Sequence, residues 1–119
     1  MRDHTKLKAF TLADDIALFV YRVTKMFPRE EVYGLVAQMR RAAVSIPSNI
    51  VEGCSRETQR DFQRFIEIAL GSTKELRYQY SIAIRLGYVP QNDVLQGESK
   101  MLELEKVLNA FVRSLRSSP

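Results

Sequence analysis

Apolar residues recur at steps of three and four along most of the chain, the signature of helices buried on one face. Leu12, Ile16, Phe19, Val20, Val23 and Phe27 set the first stripe. Thr11 with Asp14 three residues on resembles a capping box, and Pro28 ends this helix or opens the next. The second stripe is Val32, Leu35, Val36, Met39, Ala43, Ile46 and Ile50; it runs through Pro47 and stops at Gly53, a candidate C-terminal cap. After a short link, Thr58 and Asp61 offer another capping box. Phe62, Ile66, Ala69, Thr73, Leu76, Tyr80 and Ala83 then form a heptad seam that closes at Leu86-Gly87. Met101, Leu104, Leu108, Phe111 and Leu115, widened by Leu102 and Val112, set the fourth stripe, which starts near Asn92 or Asp93. The predicted helices cover about 11–27, 30–53, 58–86 and 92–116. No strand alternation competes, and short links make sequential helices antiparallel. The expectation is an all-α, up-down-up-down four-helix bundle, one domain over 1–119, with helix 2 kinked at Pro47.

Pro47 interrupts the best-patterned segment, "AVSIPSNIVEG". It removes a backbone donor and clashes with the Ala43 carbonyl, at a cost of about 3 kcal/mol in a helix interior. At about 100° per residue, Ser45, Ser48, Asn49 and Glu52 fall with Arg41 on the side away from the seam. Two readings follow. The polar set repairs the backbone around the proline, or it is a stripe that contacts a partner.

Helix 3 carries a second heptad stripe opposite its seam: Arg64, Ile68, Gly71, Glu75, Tyr78 and Ile82. A solvated face is polar throughout, whereas this one is partly apolar, and a mid-helix glycine costs about 1 kcal/mol relative to alanine. Ile68, Gly71, Glu75, Tyr78 and Ile82 are therefore expected to pack against another subunit. Arg56, Arg60 and Arg64 form a ladder at spacing four. Alternating Glu57 and Asp61 make a salt-bridged surface one reading; a phosphate-contacting stripe with Arg40 and Arg41 is the other.

The 119 residues suit one domain, and 45% hydrophobic against 27% charged residues is a globular profile. Eighteen basic and fourteen acidic residues give +4, which permits RNA or DNA as a partner without requiring it. No apolar run approaches a membrane span of about 20 residues, and "MRDHTKLKAF" lacks a signal-peptide core, so a cytoplasmic protein is expected. Cys54 is the single cysteine and His4, ahead of the helical pattern in an N-terminus expected to be mobile, the single histidine. This leaves no Ser-His or Cys-His pair in the core, no zinc set and no Glu-x-x-His for a di-iron bundle. Gly71-Ser72-Thr73-Lys74 resembles the end of a phosphate loop but lies inside a helix. The chain is expected to be no enzyme, with no catalytic residues, no metal, no cofactor and no small-molecule substrate.

"QMRRAAVSIPSNIVEG" from Gln38 to Gly53, "FIEIALGSTKEL" from Phe65 to Leu76, and "LGYVP" together resemble the bacterial rRNA intervening-sequence protein family. The resemblance runs from about Leu12 to Leu115. It departs in helix 1, where the family often has a tryptophan and this chain has none. It implies a four-helix bundle assembling into a ring-like pentamer, similar to the accessory variability proteins of diversity-generating retroelements, which bind nucleic acid and a reverse transcriptase. The expected function is then an oligomeric bundle that binds RNA or another nucleic acid or assists a nucleic-acid complex. A protein–protein scaffold with no nucleic-acid role is the alternative.

Overall fold

A computed structural model describes residues 2–117. Its four α-helices are α1 (Lys8–Thr24), α2 (Leu35–Cys54), α3 (Gln59–Arg85) and α4 (Gln91–Ser117), and no strand occurs among the described residues. Each helix packs on its sequence neighbours, and α1 closes on α4, so the four form a bundle around one core. The core is the predicted one along α3: all seven seam residues from Phe62 to Ala83 are buried. Met39, Ala43, Ile46 and Ile50 of α2, and Met101, Leu104, Leu108 and Val112 of α4, face them.

The helix ends differ from the sequence expectation in instructive ways. α1 begins at Lys8, after a single 3-10 turn at His4–Lys6 whose N-cap Asp3 accepts from the Thr5 amide. Thr11 therefore lies inside α1 and caps nothing. The N-terminal segment is not a loose tail: the Arg2 amide donates to the Cys54 carbonyl at 3.1 Å, and the His4 ring packs on Phe10 at 4.7 Å. α1 ends at Thr24, and Pro28 opens a second 3-10 turn at Arg29–Glu31. α2 thus starts at Leu35, and Val32, assigned to the seam, is 46% exposed. Glu31 closes the new boundary by accepting from the Leu35 amide at 3.0 Å and from the Tyr88 hydroxyl at 3.0 Å, so one carboxylate ties the α1–α2 turn to the α3–α4 turn.

α2 runs unbroken through Pro47. Gly53, expected as its cap, is a helical residue buried against α3. A Cβ there would stand 2.9 Å from Phe65 Cβ and 3.3 Å from Phe62 Cδ1, so this glycine serves close helix approach. Thr58 caps α3 as expected, its hydroxyl accepting from the Asp61 amide at 3.1 Å. α3 ends where Gly87 takes φ +76°, a backbone turn that costs glycine least.

Candidate functional site

The Pro47 motif is not one outward stripe. Ser45 and Asn49 are half-buried and face α3, whereas Ser48, Glu52 and Arg41 are exposed. The expectation of one stripe pointing mostly away from the core, with Asn49 nearest the core edge, holds for Arg41, Ser48 and Glu52 but not for Ser45, which with Asn49 sits on the shoulder of α2 that α3 covers. The Asn49 side-chain amide donates to the Ser45 carbonyl at 2.8 Å and to the Ser45 hydroxyl at 3.0 Å. The Ser45 hydroxyl pairs with that of Ser72 on α3 at 2.9 Å. The motif therefore does two jobs within one chain. Asn49 reinforces the turn that contains the proline, and Ser45 carries that support across to the next helix. The carbonyl that Pro47 orphans is Ala43's, which Asn49 does not reach. Ser45→Ala is expected to cost about 1–2 kcal/mol, since it leaves Ser72 and Asn49 short of a partner. Urea unfolding would check this, with Ser48→Ala, on the exposed side, within about 0.5 kcal/mol of wild type.

The five arginines grouped as a phosphate stripe do not come together. Arg40 lies about 21 Å along α2 from the helix end at Cys54, at 1.5 Å per residue, and Arg56 lies beyond that end in the α2–α3 link. Arg40 is occupied by α1: Nε donates to the Thr24 hydroxyl at 2.9 Å, a second nitrogen donates to the Tyr21 carbonyl at 3.3 Å, and the guanidinium lies 4.5 Å from the centre of the Tyr21 ring. It caps the C-terminal end of α1, where cations are favoured. Arg41, beside it in sequence, is exposed and distant from the ladder.

The other three remain together. Arg56 and Arg64 each lie over the ring of Phe65, at 4.8 and 5.0 Å. Glu52 pairs with Arg56 at 3.1 Å. Arg60, one turn between them, is exposed and makes no ion pair among the described residues. Arg2 adds a fourth guanidinium 4.0 Å above Phe62. Phe62, Phe65 and Arg2 were not among the candidate residues. Phe65 was legible as an aromatic at spacing one from Arg64, but the stack of Arg56 onto it depends on the α2–α3 link. Stacking of this kind holds guanidiniums in place while their edges stay available to acceptors.

The α3 stripe is open along its length: Ile68 is 42% and Tyr78 64% exposed, Gly71 and Glu75 are exposed, and Ile82 is half-buried. A Cβ on Gly71 would meet nothing within 4 Å. Within one chain, nothing uses its lack of a side chain.

Cys54 is buried, and that burial pushes its thiol up from the ordinary value, away from the thiolate a nucleophile needs. Among the described residues no three His, Cys, Asp or Glu side chains are placed to hold a metal, and no helix is long and apolar enough to cross a membrane.

A family model for the 23S rRNA-intervening sequence protein matches residues 5–110. The chain belongs to this family. A solved structure from Bacteroides thetaiotaomicron, described as a protein of unknown function from the S23 ribosomal protein family, has the same fold at a TM-score of 0.80. It is 22% identical, over 88% of this chain and 95% of that one. The comparison with curated proteins gives no match. The Ser-Ile-Pro-Ser-Asn run lies within the residues that the family model matches. In this member that run is the Ser45–Asn49–Ser72 clamp.

Proposed function

We propose that this 23S rRNA-intervening sequence protein is a non-enzymatic, cytoplasmic subunit of a homo-oligomeric ring, a pentamer, that binds structured RNA. The observation that carries the RNA reading is the Phe65-centred cluster. Two guanidiniums are stacked on one ring, an exposed Arg60 lies between them, and Arg2 lies over Phe62 nearby. Arg60 and Arg64 make no ion pair among the described residues and suit phosphate contacts, while Arg56 is already engaged by Glu52. The open stripe of Ile68, Gly71, Glu75, Tyr78 and Ile82 supports assembly, since Ile68 and Tyr78 are exposed and a Cβ on Gly71 would meet no neighbour within one chain. A scaffold without nucleic acid is favoured by one observation, the Glu52 carboxylate that neutralises Arg56.

Fluorescence anisotropy with a labelled RNA hairpin, from 50 to 300 mM salt, separates the two. Arg56/Arg60/Arg64→Ala should lower affinity and flatten the plot of log K against log salt by about two to three units, near 0.9 per lost phosphate contact on a duplex. Arg41→Ala serves as a control away from the cluster. An RNA affinity unmoved by the triple substitution would remove the cluster from the reading. A duplex DNA of the same sequence shows which nucleic acid is preferred.

A further inference from the structure

On the flank of the bundle, α3 and α4 leave an open groove of about 700 Å³ between the C-terminal half of α3 and the N-terminal half of α4. Met101 floors it, Ile84 lies half-buried along it, and Tyr78, Leu95 and Leu102 rise from its walls. Leu95 is 78% exposed and, with Tyr78 and Leu102 over the Met101 floor, forms a contiguous apolar patch rather than a lone exposed leucine. Tyr78 belongs both to this wall and to the outward α3 stripe, so the groove continues the apolar surface that begins at Ile68. That stripe spans about 21 Å from Ile68 to Ile82 at 1.5 Å per residue. A surface of that length suits a helix better than a small molecule.

We propose that the groove receives α1 of a second copy of this chain, in a head-to-tail contact. The proposal rests on the assembly reading and supplies its missing half, because a ring needs two different complementary surfaces on each subunit. The outer face of α1 reads Asp14, Leu18, Tyr21, Lys25 at steps of four, three and four. Leu18 is 67% and Tyr21 41% exposed. Lys25 has no ion pair among the described residues, and Glu98 on the groove has none either. The remaining groove cation, Arg77, is already matched by Glu105 at 2.9 Å. The groove therefore offers an apolar trough with one uncompensated negative charge. The α1 face offers a leucine and tyrosine ridge with an unpaired Lys25 at its C-terminal end and an unpaired Asp14 at its N-terminal end. Docked together, Leu18 enters the trough beside Leu95 and Lys25 meets Glu98.

The test uses two full-length variants, each with one face spoiled, in multi-angle light scattering at micromolar concentration. Leu18→Glu and Leu95→Glu should each abolish the wild-type oligomer and leave a monomer with an unchanged helical circular dichroism spectrum. Mixed in equal amounts, they should form a dimer and nothing larger, because each pair retains one intact contact. A Lys25→Glu variant, weakened on its own, should regain the wild-type mass when combined with Glu98→Lys. If wild type is an oligomer and Leu95→Glu leaves its mass unchanged, the groove is not the contact and the assembly reading stands. If both variants are monomers that do not combine, α1 is not the occupant. A monomeric wild type overturns the proposal and the assembly reading together.

Discussion

Gly97→Ala is expected to destabilise the protein by about 2–4 kcal/mol, against the sign of helix propensity. In an isolated helix, alanine would be better than glycine by about 1 kcal/mol. Here the added Cβ would fall 2.2 Å from Tyr80 Oη and 2.3 Å from Tyr80 Cζ. Tyr80 cannot simply swing away. It is buried, its ring meets Phe19 edge-on, and its hydroxyl donates to the Asp93 carbonyl at 2.7 Å. Overpacking costs about 1–3 kcal/mol, and a buried hydroxyl parted from its acceptor about 1–3 more. Urea unfolding should show a lower midpoint at an unchanged slope. In a Tyr80→Leu background the clash is gone, and Gly97→Ala should there be neutral or stabilising, so the pair is strongly non-additive. Equal stability of Gly97→Ala and wild type in the native background would mean that α4 reseats freely and this contact does not fix it. The Tyr80 phenol also has a pH signature. Burial first, and the Asp93 charge second, push its ionisation far above the ordinary value of about 10. The unfolded chain then ionises before the folded one, so stability from this site is full below about pH 10 and declines as pH rises beyond it.

Gly97 also shows where sequence reading stops. The seam of α3 was legible position by position, because the seven-residue repeat is a local property of one helix. The role of a glycine is not. Gly53 at the end of an apolar run reads as a cap, and only the packing of Phe62 and Phe65 against it identifies it as a point of close approach. Val32 fits the stripe of α2 by spacing alone, but Pro28 opens a 3-10 turn that puts Val32 outside the helix. The early start of α1 escaped because its first core residues, Ala9 and Ala13, are too small to stand out from a polar background. In the candidate site, the Arg56-Arg60-Arg64 ladder could be found from its spacing. Arg40 could not be separated from it, since its long side chain reaches back to Tyr21 and Thr24 on another helix. The Ser45–Ser72 pair was invisible for the same reason: the two residues are 27 positions apart, and nothing local marks them as partners.

Pro47→Ala is expected to raise stability by about 2 kcal/mol. A proline in a helix interior costs about 3 kcal/mol through its missing donor and its clash with the carbonyl four residues earlier. About 1 kcal/mol of that is returned by the stiffer unfolded chain. α2 stays helical across the site, and it is held to α3 on both sides of the proline. Ser45 holds the N-terminal side through Ser72, and Gly53 holds the C-terminal side by fitting against Phe65. These contacts do not need the proline, so alanine can restore the bond to the Ala43 carbonyl without displacing them. Thermal and urea unfolding measure the gain, and light scattering measures what accompanies it. A more stable variant that no longer assembles would make Pro47 a determinant of shape, kept for the path it gives the outer face of α2. A more stable variant with the wild-type mass would place the cost of Pro47 outside assembly, and RNA binding by the Arg60 cluster at the end of α2 becomes the next readout. A less stable variant would contradict the expectation, and would mean that the path of α2 at Pro47 is what brings Gly53 close enough to Phe65 for the helices to pack.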